Sequence, residues 1–209
     1  MTPSPVELEG RYVALSPLRL AHAAALWESL QHSDTHHLWD YLFDGPFDNE
    51  QSFADAIEQK SVSQDPFYFA ILDADTRKAL GYAAYMRIEP KHRVIEVGSI
   101  LYTPALQRTV AATEAMYLMA RHAFEDLGYR RYEWKCNALN APSRRAALRL
   151  GFTFEGIFRQ HMIVKDRNRD TAWFSMLDAE WHARRIEFER WLHPSNFDAD
   201  GNQLTRLSQ

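Results

Sequence analysis

The sequence predicts an α/β (α+β) protein, a central mixed β-sheet flanked by helices on both faces. Three observations carry this. Hydrophobic spacing switches between period 2 and helical period along the chain in the order β-α-α-β-β-β-α-β-α-β-β-α. The strand-like runs before the longest helical stretch are joined by short polar links, which suit antiparallel neighbours, whereas the runs on either side of that helix are expected to pair in parallel. The chain has 209 residues, 46% hydrophobic and 13% aromatic, with only 8 glycines, so it suits one well-cored domain rather than two or a disordered chain.

Taken in order, Arg11–Leu15 reads as a first short strand, and Leu18–Leu30 as a helix with Leu20, Ala24 and Trp27 at helical spacing. The stretch Gln31–Phe47 is irregular and aromatic, with Trp39, Tyr41, Phe43 and Phe47 set among Asp, Gly and Pro. Asp48 with Gln51 three residues on resembles a capping box that opens a helix to about Ser61. Strand runs follow at Phe67–Leu72, Leu80–Ile88 and Val94–Tyr102. Leu106–Leu127 is helical, with Val110, Thr113, Tyr117, Phe124 and Leu127 on one stripe, and Gly128 ends it. Arg131–Cys136 is a strand, Asn140–Leu150 a short helix stopped by Gly151, and Thr153–Val164 and Thr171–Leu177 are strands around the polar turn Lys165–Asp170. An amphipathic helix at Asp178–Leu192 leads into a polar end. The expected division is a domain over residues 1–195 and a surface-lying or mobile tail over 196–209.

Charge and cysteine content narrow the function classes. With 24 basic and 28 acidic residues the net charge is −4, which argues against nucleic acid as the main partner. The single cysteine, Cys136, has no internal disulfide partner, and its strand position reads as a buried thiol rather than a nucleophile, since no histidine is paired with it in the motif. A cytoplasmic protein is therefore expected. The amino-terminal residues lack the basic start and apolar run of an export signal, and no segment approaches ~20 apolar residues, so no membrane partner is expected. His32, His36 and His37 among Asp34 and Asp40 fit no tight ligand pattern, and no metal is expected.

Two blocks carry chemistry. Ile100–Glu114, ILYTPALQRTVAATE, runs from a strand end through a turn into a long helix, whose first backbone N–H groups and dipole suit a pyrophosphate. Glu133–Arg159 contains Asn140, Ser143, Gly151-Phe152 and Glu155-Gly156. Together they resemble the GNAT acetyltransferase superfamily, and within it the RimJ/RimL branch. The first block matches the signature Gln/Arg-x-x-Gly-x-Gly/Ala at Gln107-Arg108-Thr109-Val110-Ala111-Ala112, and the second matches Asn-x-x-Ser, Gly-Phe and Glu-Gly. One departure is Val110, which stands where that family usually has glycine and adds a Cβ that can crowd the backbone's approach to phosphate. The resemblance runs from about Glu7 to Leu177.

The resemblance implies acetyl-CoA as cosubstrate, no metal, and direct attack of an amine on the thioester, with rate gained from proximity and from stabilised oxyanion charge. It places the cofactor against the strand end Ser99, Ile100 and Leu101, the helix start Gln107, Arg108, Thr109, Val110, Ala111, Ala112 and Thr113, and the turn residues Asn140, Ser143 and Arg144. Ser143 would protonate the departing thiolate, and Asn140 serves equally as a helix cap. As general base, Glu96 lies in phase with Gly98 and Ile100 under strand alternation, Glu155 is a second carboxylate, and an ordered water is a third route. Trp39 and Tyr41, in an irregular loop that buries large rings less completely, are expected to wall the acceptor pocket together with Trp134 on a predicted strand. The acceptor is read as a small-molecule primary amine, such as an amino-acid derivative or an aminoacyl-nucleotide, or as a peptide N-terminus, and a homodimer stays open. The alternative from another class is a non-catalytic acyl-CoA-binding module, which Val110 and the unassigned base would suit.

Overall fold

The computed structural model describes residues 1–207. Eight strands form one sheet: β1 (Leu8–Glu9), β2 (Val13–Pro17), β3 (Phe67–Asp73), β4 (Ala79–Glu89), β5 (Val94–Tyr102), β6 (Arg131–Asn137), β7 (Thr153–Val164) and β8 (Arg167–Leu177). Their spatial order is β1-β2-β3-β4-β5-β6-β8-β7, with every pair antiparallel except β5 and β6. The sheet is thus mixed, and its one parallel pair is bridged by α3 (Val110–Arg121), which continues as a π-helical turn, His122–Asp126, before Gly128 reverses the chain at φ +70°.

The other helices are α1 (Ala23–Leu30), α2 (Glu50–Val62), α4 (Ala141–Arg149) and α5 (Asp178–Leu192). Two apolar cores sit on opposite faces of the sheet. The larger one packs α3, α4 and α5 against Val13, Phe69, Tyr85, Ile95, Val97, Tyr132, Trp134 and Phe174. The smaller one packs α1, α2 and the loop between them on Ala70, Leu72, Tyr82 and Leu101 of β3–β5. On that second face β6, β8 and β7 contribute nothing to the apolar cluster, which leaves half of it for polar side chains.

Several local readings shift. Asn49, not Asp48, caps α2 by accepting the Ser52 N–H at 2.9 Å. Helix α3 begins at Val110 rather than Leu106, because Arg108 is held at φ +60° and Thr109 takes the cap position. Strand β8 starts at Arg167, so the turn between β7 and β8 shrinks to Lys165 and Asp166, both at positive φ. The chain after residue 195 folds back on α5: Asn196 bonds to Trp191 and Thr205, and Leu207 is buried in the larger core.

Candidate active site

The site begins where two parallel strands part. Residue pairing between β5 and β6 ends at Val97 and Trp134, although β5 runs on to Tyr102 and β6 to Asn137. Beyond that point the facing backbone edges no longer serve each other, and buried backbone groups need other partners. Strand β5 also carries a bulge. Gly98 pairs with Ala84 and Leu101 with Tyr82, so Ser99 and Ile100 together oppose one residue, and Ser99 sits at φ +48°. The bulge inverts the side-chain alternation. Ile95 and Val97 face the larger core and so does Ile100, whereas Leu101 enters the smaller one. Ile100 is therefore not in phase with Glu96 and Gly98, as strict period-2 spacing had implied. The Ser99 hydroxyl instead meets the Tyr68 hydroxyl at 3.2 Å.

At the far end of the gap the chain turns into α3. The Gln107 amide donates to the Tyr102 carbonyl at 3.1 Å, and the Thr109 hydroxyl accepts the Ala112 N–H at 3.1 Å. These bonds fix the turn so that the first-turn N–H groups, which have no acceptor within a helix, lie together at its positive end. Val110, Ala111 and Ala112 pack on the larger core. The Val110 side chain is thereby absorbed by apolar contacts, so the departure from glycine does not by itself close the approach to this helix end. Thr113 is a correction. It is buried and accepts the Arg149 guanidinium at 3.0 Å, tying α3 to α4 instead of facing the gap. A pyrophosphate fits what remains, an anion-seeking helix start beside the exposed Arg108.

Across the gap, α4 presents the second motif. Asn140 caps the helix by accepting the Ser143 N–H at 3.1 Å. The Ser143 hydroxyl accepts the Trp134 indole N–H at 3.0 Å, so its own proton is directed elsewhere, with the Cys136 sulfur as one acceptor in reach. Trp134 thus does not wall an acceptor pocket: it is buried on the α4 side of the sheet, edge-on to Phe152. Cys136 lies on the same face, and burial pushes its thiol up despite a hydrogen bond with Ser143. Arg144 reaches back to the Ala138 carbonyl at 3.3 Å, bracing the turn.

Of the loop aromatics, Trp39 corrects the sequence expectation. It is 2% exposed, packed edge-on against Phe47 and Phe53 in the smaller core, so an irregular loop has buried its largest ring completely. Tyr41, 39% exposed, does reach the site's rim, where its hydroxyl donates to the Leu139 carbonyl at 3.3 Å. The Lys165 ammonium at the tip of the β7–β8 hairpin donates to the Trp39 and Asp44 carbonyls at 2.8 and 2.9 Å, and the Arg169 guanidinium lies 5.2 Å from the Phe43 ring. The loop therefore spans from the small core to the hairpin and the start of α4.

Beneath that loop, the helix-free half of the face carries a run of alternating charge. Glu96, 3% exposed, receives Arg87 at 2.5 Å and Lys135 at 3.0 Å on the same oxygen. Lys135 continues to Glu133 at 2.5 Å and stands 4.0 Å over the Trp173 ring. Arg131 links Glu133 at 2.6 Å to Glu155, which it grips through two nitrogens at 2.8 and 2.6 Å. That grip, helped by the Ser175 hydroxyl, holds the Glu155 carboxyl down at about 2 against the opposing effect of burial. Glu155 is thereby committed to Arg131 and is not disposed to act as a base. Arg131, Glu133 and Lys135 belong to no short motif, yet they alternate with apolar Tyr132, Trp134 and Cys136, the period-2 signal of a strand with one polar face. Arg87, Tyr68 and Arg169 left no such signal. Among the described residues no cluster of three or more His, Cys, Asp or Glu is arranged to hold a metal.

With this geometry in view, the likenesses to known proteins are specific. The profile of a family described as an acetyltransferase (GNAT) domain matches residues 13–153. The crystal structure of a GCN5-related N-acetyltransferase from Brucella melitensis is 47% identical, covers 99% of this chain and 94% of its own, and superposes with a TM-score of 0.96. An uncharacterized N-acetyltransferase of Bacillus subtilis, YoaA, is 29% identical over 61% of this chain and 69% of its own length. The ribosomal-protein-serine acetyltransferase of Escherichia coli is 28% identical over 47% of this chain and 54% of its own length.

Proposed function

This chain belongs to the GNAT acetyltransferase family, with a relation to its RimJ/RimL-like members, and on that premise we propose that it moves acetyl from acetyl-CoA directly to the primary amine of a small molecule. The observation that carries the proposal is the parting of β5 and β6 beyond Val97 and Trp134, with the Ser99 bulge on one side and a Ser143 hydroxyl of fixed orientation on the other. Bound acetyl-CoA supplies the activated acyl group. The chain's own part is positional: the α3 start with Arg108 holds the phosphates, the freed edges of Ser99–Leu101 and Asn140 hold the amide arm, and backbone N–H groups at the bulge oppose charge on the carbonyl oxygen. Ser143 donates its proton to the leaving sulfur, since its hydroxyl already accepts from Trp134.

Glu96 is assigned a supporting role. Arg87 and Lys135 both bond one of its oxygens, so the carboxylate is engaged by the charge run, and the amine's proton leaves by an ordered water. The loop that spans from Trp39 to the hairpin supports a small amine over a protein N-terminus, because its bonds to Leu139 and Lys165 narrow the approach. Thiol release from acetyl-CoA with amino-acid derivatives, short peptides and aminoacyl-nucleotide analogues tests the reading. Turnover is expected with small amines, and acetyl-CoA is expected to raise the melting temperature by mass action. Binding of acetyl-CoA with no turnover on any amine would favour a non-catalytic acyl-CoA-binding module.

A further inference from the structure

Resting on the acetyl-transfer reading, we infer that Arg169 is the anion-recognising group of the acceptor site, and that the acetylated amine carries an oxyanion, carboxylate or phosphate, which pairs with this guanidinium. A buried charge is costly unless another charge or a full set of hydrogen bonds offsets it. Arg87, Glu96, Lys135, Glu133, Arg131 and Glu155 form a run of three cations and three carboxylates in strict alternation, each in direct contact with the next. Arg169 is outside that run. It is 7% exposed, its Nε has no hydrogen-bond partner, and among the described residues it forms no ion pair.

Among the described residues the surroundings of Arg169 offer it no counter-charge of its own. Burial lowers its pKa, which Glu96 opposes and Arg87 reinforces, but Glu96 is already committed to Arg87 and Lys135. The Phe43 ring stacks near the guanidinium at 5.2 Å, contact that steadies the group while supplying no acceptor for its N–H edges. Those edges suit two oxygens of one carboxylate or phosphate. Position links the group to the acceptor. Arg169 lies on the same face of β8 as Thr171, and Thr171 pairs with Asn137, the last residue of β6 before the α4 turn. Tyr41, two residues before Phe43, bonds that same turn at Leu139. The helix start that suits the cofactor's phosphates belongs to α3, on the opposite face of the sheet.

The experiment compares matched amines that differ only in the anion: amino acids against their amides, and phosphoethanolamine against ethanolamine, each as kcat/KM for wild type, Arg169→Met and Arg169→Lys. Wild type is expected to favour the acidic member of at least one pair by roughly ten- to a hundredfold, and the carboxylate and phosphate arms identify which oxyanion is read. Arg169→Met should bring that ratio near one and Arg169→Lys should keep part of it. Calorimetric affinity for acetyl-CoA should stay unchanged. Because the variant removes an unmatched buried charge, its melting temperature should equal or exceed that of wild type, whereas a structural arginine would lower it. Equal or better use of the neutral amines, an acid preference that survives Arg169→Met, or loss of acetyl-CoA affinity would overturn the assignment alone. Transfer to none of the amines with acetyl-CoA bound would overturn the enzymatic reading beneath it.

Discussion

Ser143 takes its chemical character from Trp134. An indole N–H can only donate, so a hydroxyl that accepts from it is left with a proton directed elsewhere, and the pairing converts an ordinary first-turn serine into an oriented donor. Ser143→Ala is expected to lower kcat by roughly ten- to a hundredfold with acetyl-CoA affinity nearly intact, since the bond strengthens only as the thiolate departs. It should also cost about 1–3 kcal/mol of stability, because the buried indole N–H loses its acceptor. Asn140→Ala supplies the contrast: cap loss of about 1 kcal/mol, a raised KM for acetyl-CoA and an unchanged kcat. Steady-state kinetics and denaturant titration of both variants distinguish them, and identical behaviour would reduce Ser143 to a structural group. At this scale motif spacing located Asn140 and Ser143. It misjudged Trp39 and Trp134, whose rings are equally apolar whether they face a pocket or a core; only the neighbours decide.

Elements are joined by contacts that local patterns do not announce. Glu114, on α3, turns inward and accepts the backbone N–H groups of Arg11, Tyr12 and Val13 at 2.9, 2.6 and 2.9 Å. Gly10 makes room for it, since a Cβ there would stand 2.6 Å from the carboxyl carbon. One carboxylate therefore fastens the start of β2 to α3 about one turn from the helix start that is the expected phosphate site. Glu114→Ala should destabilise the fold by about 3 kcal/mol, and Glu114→Gln by less, because one oxygen remains to accept. A shifted denaturation midpoint at constant m-value checks this, and a change below ~0.5 kcal/mol would mean that water replaces the carboxylate. The strands and helices themselves were largely legible, as caps, glycines and periodicity are properties of a few adjacent residues. The Ser99 bulge was not, because a bulge exists only relative to the neighbouring strand.

Across the whole molecule, the loop between α1 and α2 bridges the smaller core and the β7–β8 hairpin, and Lys165 is its fastening. Lys165→Ala should raise KM for the acceptor by roughly three- to tenfold and leave KM for acetyl-CoA unchanged, with faster limited proteolysis in residues 40–47 as the local stability falls. If both Michaelis constants moved together, the hairpin would be bracing the entire gap and not only the acceptor side. The sequence by itself determined the order of elements, the mixed sheet and the Asn140–Ser143 turn, because each is encoded in hydrogen-bond and hydrophobic patterns spanning a handful of residues. Only the tertiary structure decided which face each side chain serves beyond the bulge, that Trp39 is core, and that Arg169 stands buried with no counter-charge among the described residues. Those outcomes depend on pairings such as Lys165 with Trp39, separated by 126 residues, where the packed sheet and not local propensity chooses the partners.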